Sequence, residues 1–170
     1  LGMMLLVSSA ELLTLYVALE LSSYSLYALV PLRSGDGQQM EAGIKYFLCG
    51  IATSALMLFG LASLFAATQT TLLSELTPKL PALLNTPMAF IGLLLTLCGF
   101  FFKLALFPFH VWAPSVYQGA ANQVTAFVAT ATKVAAMAMI MRLVSVADGN
   151  TSLAHVLIAL AIISMTSGNL

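Results

Sequence analysis

The sequence predicts an all-α protein, a polytopic bundle of transmembrane helices. Three observations carry that prediction. Of 170 residues, 61% are hydrophobic and only 7% charged, whereas a soluble domain carries about a quarter charged residues. Residues 46–74, 80–102, 104–132 and 149–170 contain no Asp, Glu, Lys or Arg, and each run is long enough for the ~20 residues of a helical crossing. Between such runs stand clusters of Pro, Gly, Asn and Ser that read as turns. Net charge is zero, which offers no electrostatic footprint for nucleic acid. Cys49 and Cys98 stand singly in apolar runs and read as small packed hydrophobes.

The elements follow in order. Residues 1–8 read as the end of a helix. Ser8 and Glu11 have capping-box spacing, which starts a second helix over about 10–30, closed by Pro31 and the turn-rich RSGDGQQ. A third helix is expected at 41–67. After it comes TQTTLLSELTPKLPALLNTP, a polar loop with three prolines. A fourth helix fits 88–107, broken by Pro108 and continued irregularly over 108–121. The fifth fits 123–145, the DGNTS turn follows, and the sixth runs over 153–170. The chain opens on Leu1 and stops in or just beyond an apolar run. It is therefore expected to be a single transmembrane domain, 1–170, of a longer subunit. Arg33 on one side faces Lys79 and Arg142 on the other, too even a balance to orient the helices by their basic loops.

Three charges lie deep in this apolar frame. At a rise of ~1.5 Å per residue, Glu20 and Lys133 are each ~16 Å into their helices, and Lys103 is ~22 Å along its own. All three fall in a band near the centre of a core ~30 Å thick. A charge there costs about 2.5–3.5 kcal/mol on insertion scales and commonly marks an ion pathway or proton relay. Burial of an ammonium disfavours its charge, and a neighbouring carboxylate favours it. A changing distance between Glu20 and Lys103 would thus switch a lysine between holding and releasing a proton, if their helices face each other. The alternatives are a structural ion pair locking two helices, and for Lys133 snorkelling to an interface. Lys45 is shallow, where pairing with Glu41 at i,i+4 or snorkelling competes with a relay role.

Pro108 explains itself beside Lys103. It has no N–H, and its ring clashes with the carbonyl of Leu104. A freed carbonyl at membrane depth must find another partner, and broken helices line hydrated sites in transporters. His110, just beyond the break, reads either as a proton relay or as an interfacial His beside Trp112.

The stretches ALELSSYSLYALV, MEAGIKYFL, FKLALFPFHVWAPSVYQGA and VTAFVATATKVAAM carry a family. Together they resemble the antiporter-like membrane subunits of respiratory complex I, most of all subunit N of bacterial NADH-quinone oxidoreductase and its chloroplast counterpart. The string FK-x-x-x-FPFH-x-W-x-P-x-VY-x-G is the specific part. The resemblance implies one half of an inverted-repeat antiporter-like fold. It implies that Glu20 pairs with Lys103 on the broken helix, that Lys133 links onward to a second half-channel, and that Lys45, beside Glu41, is the lysine of the EA-x-x-KY motif. Members usually read PD-x-Y-x-G-x-P-x-P after the tryptophan. Here Ser115 stands at the Asp position, and Ala121 and Gln123 replace the prolines.

The function so implied is proton translocation in NADH:quinone oxidoreductase, along Glu20, Lys103 and Lys133 through ordered water. This chain shows no CxxC, G-x-G-x-x-G or Walker loop, so no cofactor or metal is expected in it. NADH, FMN, iron–sulfur clusters and quinone are expected in other subunits. The expected partners are other membrane subunits of complex I, the lipid bilayer, protons and internal water, with no nucleic acid. The expected location is the bacterial inner membrane or, alternatively, the thylakoid. Rival readings are a subunit of a monovalent-cation/proton antiporter or membrane-bound hydrogenase, and a non-conducting membrane scaffold. An intramembrane enzyme has neither HExxH nor G-x-S-x-G to support it.

Overall fold

A computed structural model describes residues 1–32, 37–147 and 150–169. Arg33, Asp36 and Asp148, with parts of the two expected turns, lie outside the described residues. The helices are α1 (Gly2–Ser8), α2 (Leu12–Leu29), α3 (Gln38–Thr68), α4 (Leu73–Leu83), α5 (Pro87–Leu104), α6 (Trp112–Gly119), α7 (Asn122–Ala129), α8 (Ala131–Val146) and α9 (Thr151–Asn169). A 3₁₀ turn, Val30–Leu32, closes α2. Among the described residues, five stretches are long and apolar enough to cross a membrane: Leu12–Leu32, Gln38–Thr68, Pro87–Leu104, Asn122–Val146 and Thr151–Asn169. Large apolar side chains such as Phe59, Val134 and Met141 point outward, as they do where lipid, not water, is the solvent.

The core sits between α2, α3, α5 and α8, around Leu15, Leu64, Leu93, Leu97, Phe100 and Met139. The tightest crossing is α3 on α5. A side chain on Gly92 would press on Ser63 Cβ at 3.1 Å and on the Gly60 carbonyl at 3.3 Å. Only small residues let two helix backbones approach so closely, the usual device where lipid removes the hydrophobic drive to associate. A second cluster joins Leu26, Tyr46, Phe102, Trp112, Val116 and Val128, and it lies beside the broken segment.

Five sequence expectations need correction. The Ser8–Glu11 capping box does not form, and α2 starts at Leu12 with no side-chain cap. Ser8 instead donates to the Leu5 carbonyl, while Glu11 accepts from the Thr71 hydroxyl at 2.8 Å and joins Leu72 in a single antiparallel bridge. The long-range partner outcompetes the local cap. The expected loop at 68–87 contains α4, despite Pro78 and Pro81 inside it. Leu73, Leu76 and Leu80 fall on one face and are buried, and that burial offsets the backbone bonds the prolines forgo.

The fourth helix ends at Leu104, not 107, and the expected irregular stretch 108–121 contains the regular helix α6. The fifth expected helix is interrupted at Thr130 (φ −117°, ψ −74°), which separates α7 from α8. Neither Gly nor Pro marks that interruption. The Thr130 hydroxyl bonds back to the Ala126 carbonyl at 2.7 Å, a local competition that bends helices.

Two basic side chains secure helix ends. Arg142 of α8 donates to the carbonyls of Val7 (3.3 Å) and Ser9 (2.6 Å), at the C-terminal end of α1. Lys79 of α4 donates to the Thr68 carbonyl, the last of α3, at 3.4 Å. Both place positive charge where helix carbonyls are unpaired.

Candidate functional site

The site is built where α5 stops. Pro108 cannot donate to Leu104, and a residue preceding proline is driven out of the helical region. The chain leaves the helix before meeting that conflict. Ala105 takes left-handed geometry (φ 57°, ψ 42°), which costs an L-residue about 1–2 kcal/mol. The turn closes as a Schellman pair: Ala105 N–H donates to the Phe102 carbonyl at 3.1 Å and Leu106 N–H to Phe101 at 2.9 Å. The Trp112 indole N–H adds a second bond to Phe102, at 3.1 Å. Phe107 N–H donates to the Ser164 hydroxyl of α9 at 2.9 Å.

Aromatic packing holds this turn. Trp112 is wholly buried, with its ring centroid 4.8 Å from that of Tyr46 and 5.3 Å from that of Phe102. Tyr46 and Phe102 stack at 5.4 Å. Rings from α3, α5 and α6 therefore clamp the backbone beside Lys103.

Lys103 is the penultimate residue of α5. It is 3% exposed, and its Nζ has no hydrogen-bond partner among the described residues. Glu20 of α2 is 7% exposed. It acts on Lys103 electrostatically, but the two make no direct ion pair; among the described residues the one ion pair is Lys45–Glu41, at 2.5 Å. The Glu20 carboxylate accepts instead from the Ser54 hydroxyl of α3. The structure thus brings Glu20 and Lys103 into one buried neighbourhood while holding them apart.

Lys133 stands in the first turn of α8, immediately after the Thr130 interruption. Its Nζ lies 5.8 Å from the ring centroid of Tyr117, on α6. Tyr117 in turn meets Trp112 edge-on at 6.2 Å. Each deep lysine thus adjoins a helix interruption, and aromatic rings connect the two places. Lys45 bonds Glu41 and also reaches Ser115 of α6 at 3.4 Å. It tethers α3 to α6 from the exposed side, through the serine at the position where the resemblance expects an aspartate. The His110 ring stacks on Phe107 at 5.8 Å, and its Nδ1 is buried without a partner. It stands beyond the break, as the chain order requires. Pro108 itself is exposed.

Sequence reasoning missed Ser54, Tyr46, Tyr117 and Thr125. The hydroxyls of Tyr46, Tyr117 and Thr125 are buried and unpartnered, as are Lys103 Nζ and His110 Nδ1. Such groups in an apolar medium cost several kcal/mol each unless they are solvated. Tyr46 and Tyr117 are ring partners of Trp112, and Lys103 follows a third, Phe102, in the chain. A lone hydroxyl in an apolar helix gives no sequence signal, since most simply bond back to their own helix.

Comparison with known proteins shows the family of the chain. Residues 9–170 match the family described as NADH:quinone oxidoreductase/Mrp antiporter, transmembrane. NADH-quinone oxidoreductase subunit N 2 of Syntrophobacter fumaroxidans is 56% identical over 171 residues, covering 100% of this chain and 36% of the relative. The protein of the same name from Solidesulfovibrio magneticus is 54% identical, covering 99% of this chain and 36% of the relative. A chain of respiratory complex I from Thermus thermophilus superposes with a TM-score of 0.74 at 43% identity, over 83% of this chain and 31% of that one. A chain of the archaeal membrane-bound sulfane sulfur reductase does so with a TM-score of 0.80 at 30% identity, over 95% and 34%. The chain thus spans a little over a third of the length of the curated relatives it matches.

Proposed function

The chain belongs to the NADH:quinone oxidoreductase/Mrp antiporter membrane family, and on that premise we propose that it forms part of a proton-translocating subunit of NADH:quinone oxidoreductase. The observation that carries this reading is Lys103. A fully buried, unpartnered ammonium at a helix interruption, near a buried carboxylate, is costly as structure and useful as a proton carrier. Glu20 and Lys103 form the first relay pair, and Lys133 receives the proton beyond Tyr117. The buried hydroxyls of Tyr46, Tyr117 and Thr125 and His110 Nδ1 are the donors and acceptors that a chain of water needs for proton transfer. Lys45, Glu41 and His110 are secondary members of the path.

The switch works by distance. At ~4 Å and an effective dielectric of ~20, a carboxylate contributes about 4 kcal/mol to a lysine's charged state. Bonded to Ser54, Glu20 supports that charge from a greater distance and so more weakly; when the carboxylate swings to the lysine, the lysine holds its proton more firmly. Electron transfer, with its NADH, FMN, iron–sulfur clusters and quinone, falls to other subunits, whose contacts drive that swing. The subunit would sit in a bacterial inner membrane among the other membrane subunits of the complex.

Lys133→Met in the full-length subunit of an assembled complex tests the reading. The pH gradient across vesicles is recorded during NADH oxidation. A translocating subunit loses most of the gradient per NADH, or both rates fall together. A scaffold that only anchors its neighbours keeps both at wild-type level, and that outcome contradicts the proposal.

A further inference from the structure

The unexpected contact in the site is Ser54 to Glu20. Most serine and threonine hydroxyls elsewhere on these two helices bond to their own backbone, and Thr14 reaches only the Glu11 carboxylate three residues back. Ser22, Ser23 and Ser25 of α2, and Thr53, Ser63 and Thr68 of α3, each donate to a carbonyl three or four residues back in their own helix. Ser54 alone among them donates across to the facing helix, and its acceptor is a buried carboxylate. A carbonyl three or four residues back is always within reach of a helical serine. Ser54 forgoes it because a charged acceptor makes the stronger bond.

We propose that Ser54 is a positioning residue that holds the Glu20 carboxylate off Lys103, so that the ion pair forms only when this hydroxyl lets go. The inference rests on the reading of Glu20 and Lys103 as a relay pair. Two positions of one carboxylate then define two states. Bonded to Ser54, Glu20 leaves Lys103 unpaired, as observed. Bonded to Lys103, it releases Ser54 to the ordinary backbone bond of a helical serine. The release is local: Ser54 needs only a turn about its Cα–Cβ bond to bond within its own helix. The phenols of Tyr16 and Tyr27 also feel the Glu20 charge.

The test uses the full-length subunit in its assembled complex, reconstituted in vesicles, with Ser54→Ala, Ser54→Cys, Ser54→Thr and Glu20→Gln. Two quantities are read: proton-coupled NADH oxidation, and the infrared carboxylate stretch assigned to Glu20 by its loss in Glu20→Gln. A hydrogen bond to a charged group biases a two-state equilibrium by about tenfold or more. Ser54→Ala therefore lowers the coupled rate about tenfold and shifts the Glu20 band. Ser54→Cys, near-isosteric but a weak donor, does the same without opening a cavity. Ser54→Thr keeps the hydroxyl and restores both.

If Ser54→Cys pumps at wild-type rate with the band unmoved, the proposal is wrong. It is equally wrong if Ser54→Thr fails as Ser54→Ala does, since packing and not the donor would then matter. If Glu20→Gln itself pumps normally, the relay reading falls and takes the role of Ser54 with it, even where the band has moved.

Discussion

Trp112 offers the sharpest test of how the broken helix is held. Its indole N–H bonds the Phe102 carbonyl at 3.1 Å, while its ring packs against Tyr46 and Phe102. Two substitutions separate these contributions. Trp112→Phe keeps a ring in the clamp but removes the donor and trims the bicyclic indole to a single ring. The Phe102 carbonyl retains its bond from Ala105 N–H, so no acceptor is orphaned, and the loss is about 1–2 kcal/mol. Trp112→Ala empties a wholly buried site and forfeits the ring contacts, for about 3–5 kcal/mol. The alanine variant should therefore lose about twice as much or more. SDS titration of the purified full-length subunit, followed by circular dichroism, measures both differences. Equal losses in the two variants would mean the hydrogen bond, not ring packing, holds the break. A silent Trp112→Ala would refute the clamp altogether.

Other consequences follow from the same contacts. Tyr117→Phe preserves the ring under Lys133 and removes one hydroxyl of the proposed water chain, so proton-coupled turnover should fall, but less than in Tyr117→Leu. Tyr117→Leu removes a cation–π contact worth about 0.5–2 kcal/mol, so turnover should fall several-fold in the same vesicle assay. If both variants behave alike, the ring is not what positions Lys133. Arg142→Leu leaves the Val7 and Ser9 carbonyls without their donor and should cost about 1.5–3 kcal/mol, read as a lower thermal midpoint of the complex with unchanged turnover before melting. A midpoint equal to wild type would show that the α1–α8 tie contributes nothing.

What could be read from the sequence, and what could not, follows from the range of each interaction. The deep charges were legible because Lys103 and Lys133 each end an uncharged run, and helix rise alone converts position into depth. Pro108 was legible as a breaker, yet the helix ends earlier, at Leu104, because the chain must already have turned when it reaches the residue before proline. Helix α4 was hidden by its prolines. Its leucine stripe has the right spacing, but only a neighbouring helix to bury it makes that spacing count. The interruption at Thr130 has no Gly or Pro, so nothing local announces it. Ser54 and Tyr117 act across helices, on partners 34 residues away for Ser54 and on another element for Tyr117. Their roles depend on which faces meet. The pairing of Glu20 with Lys103 was implied by the family resemblance and left open by the charges themselves, and a hydroxyl on a third helix takes the carboxylate instead.

The central claim is that Lys103 carries protons. Lys103→Ala in the full-length subunit, within its assembled complex, tests it most directly. NADH oxidation and the pH gradient are recorded in the same vesicles. The account predicts that assembly persists while the gradient collapses, with electron transfer dragged down by tight coupling. Both rates at wild-type level in an assembled complex would contradict it and make Lys103 a structural residue.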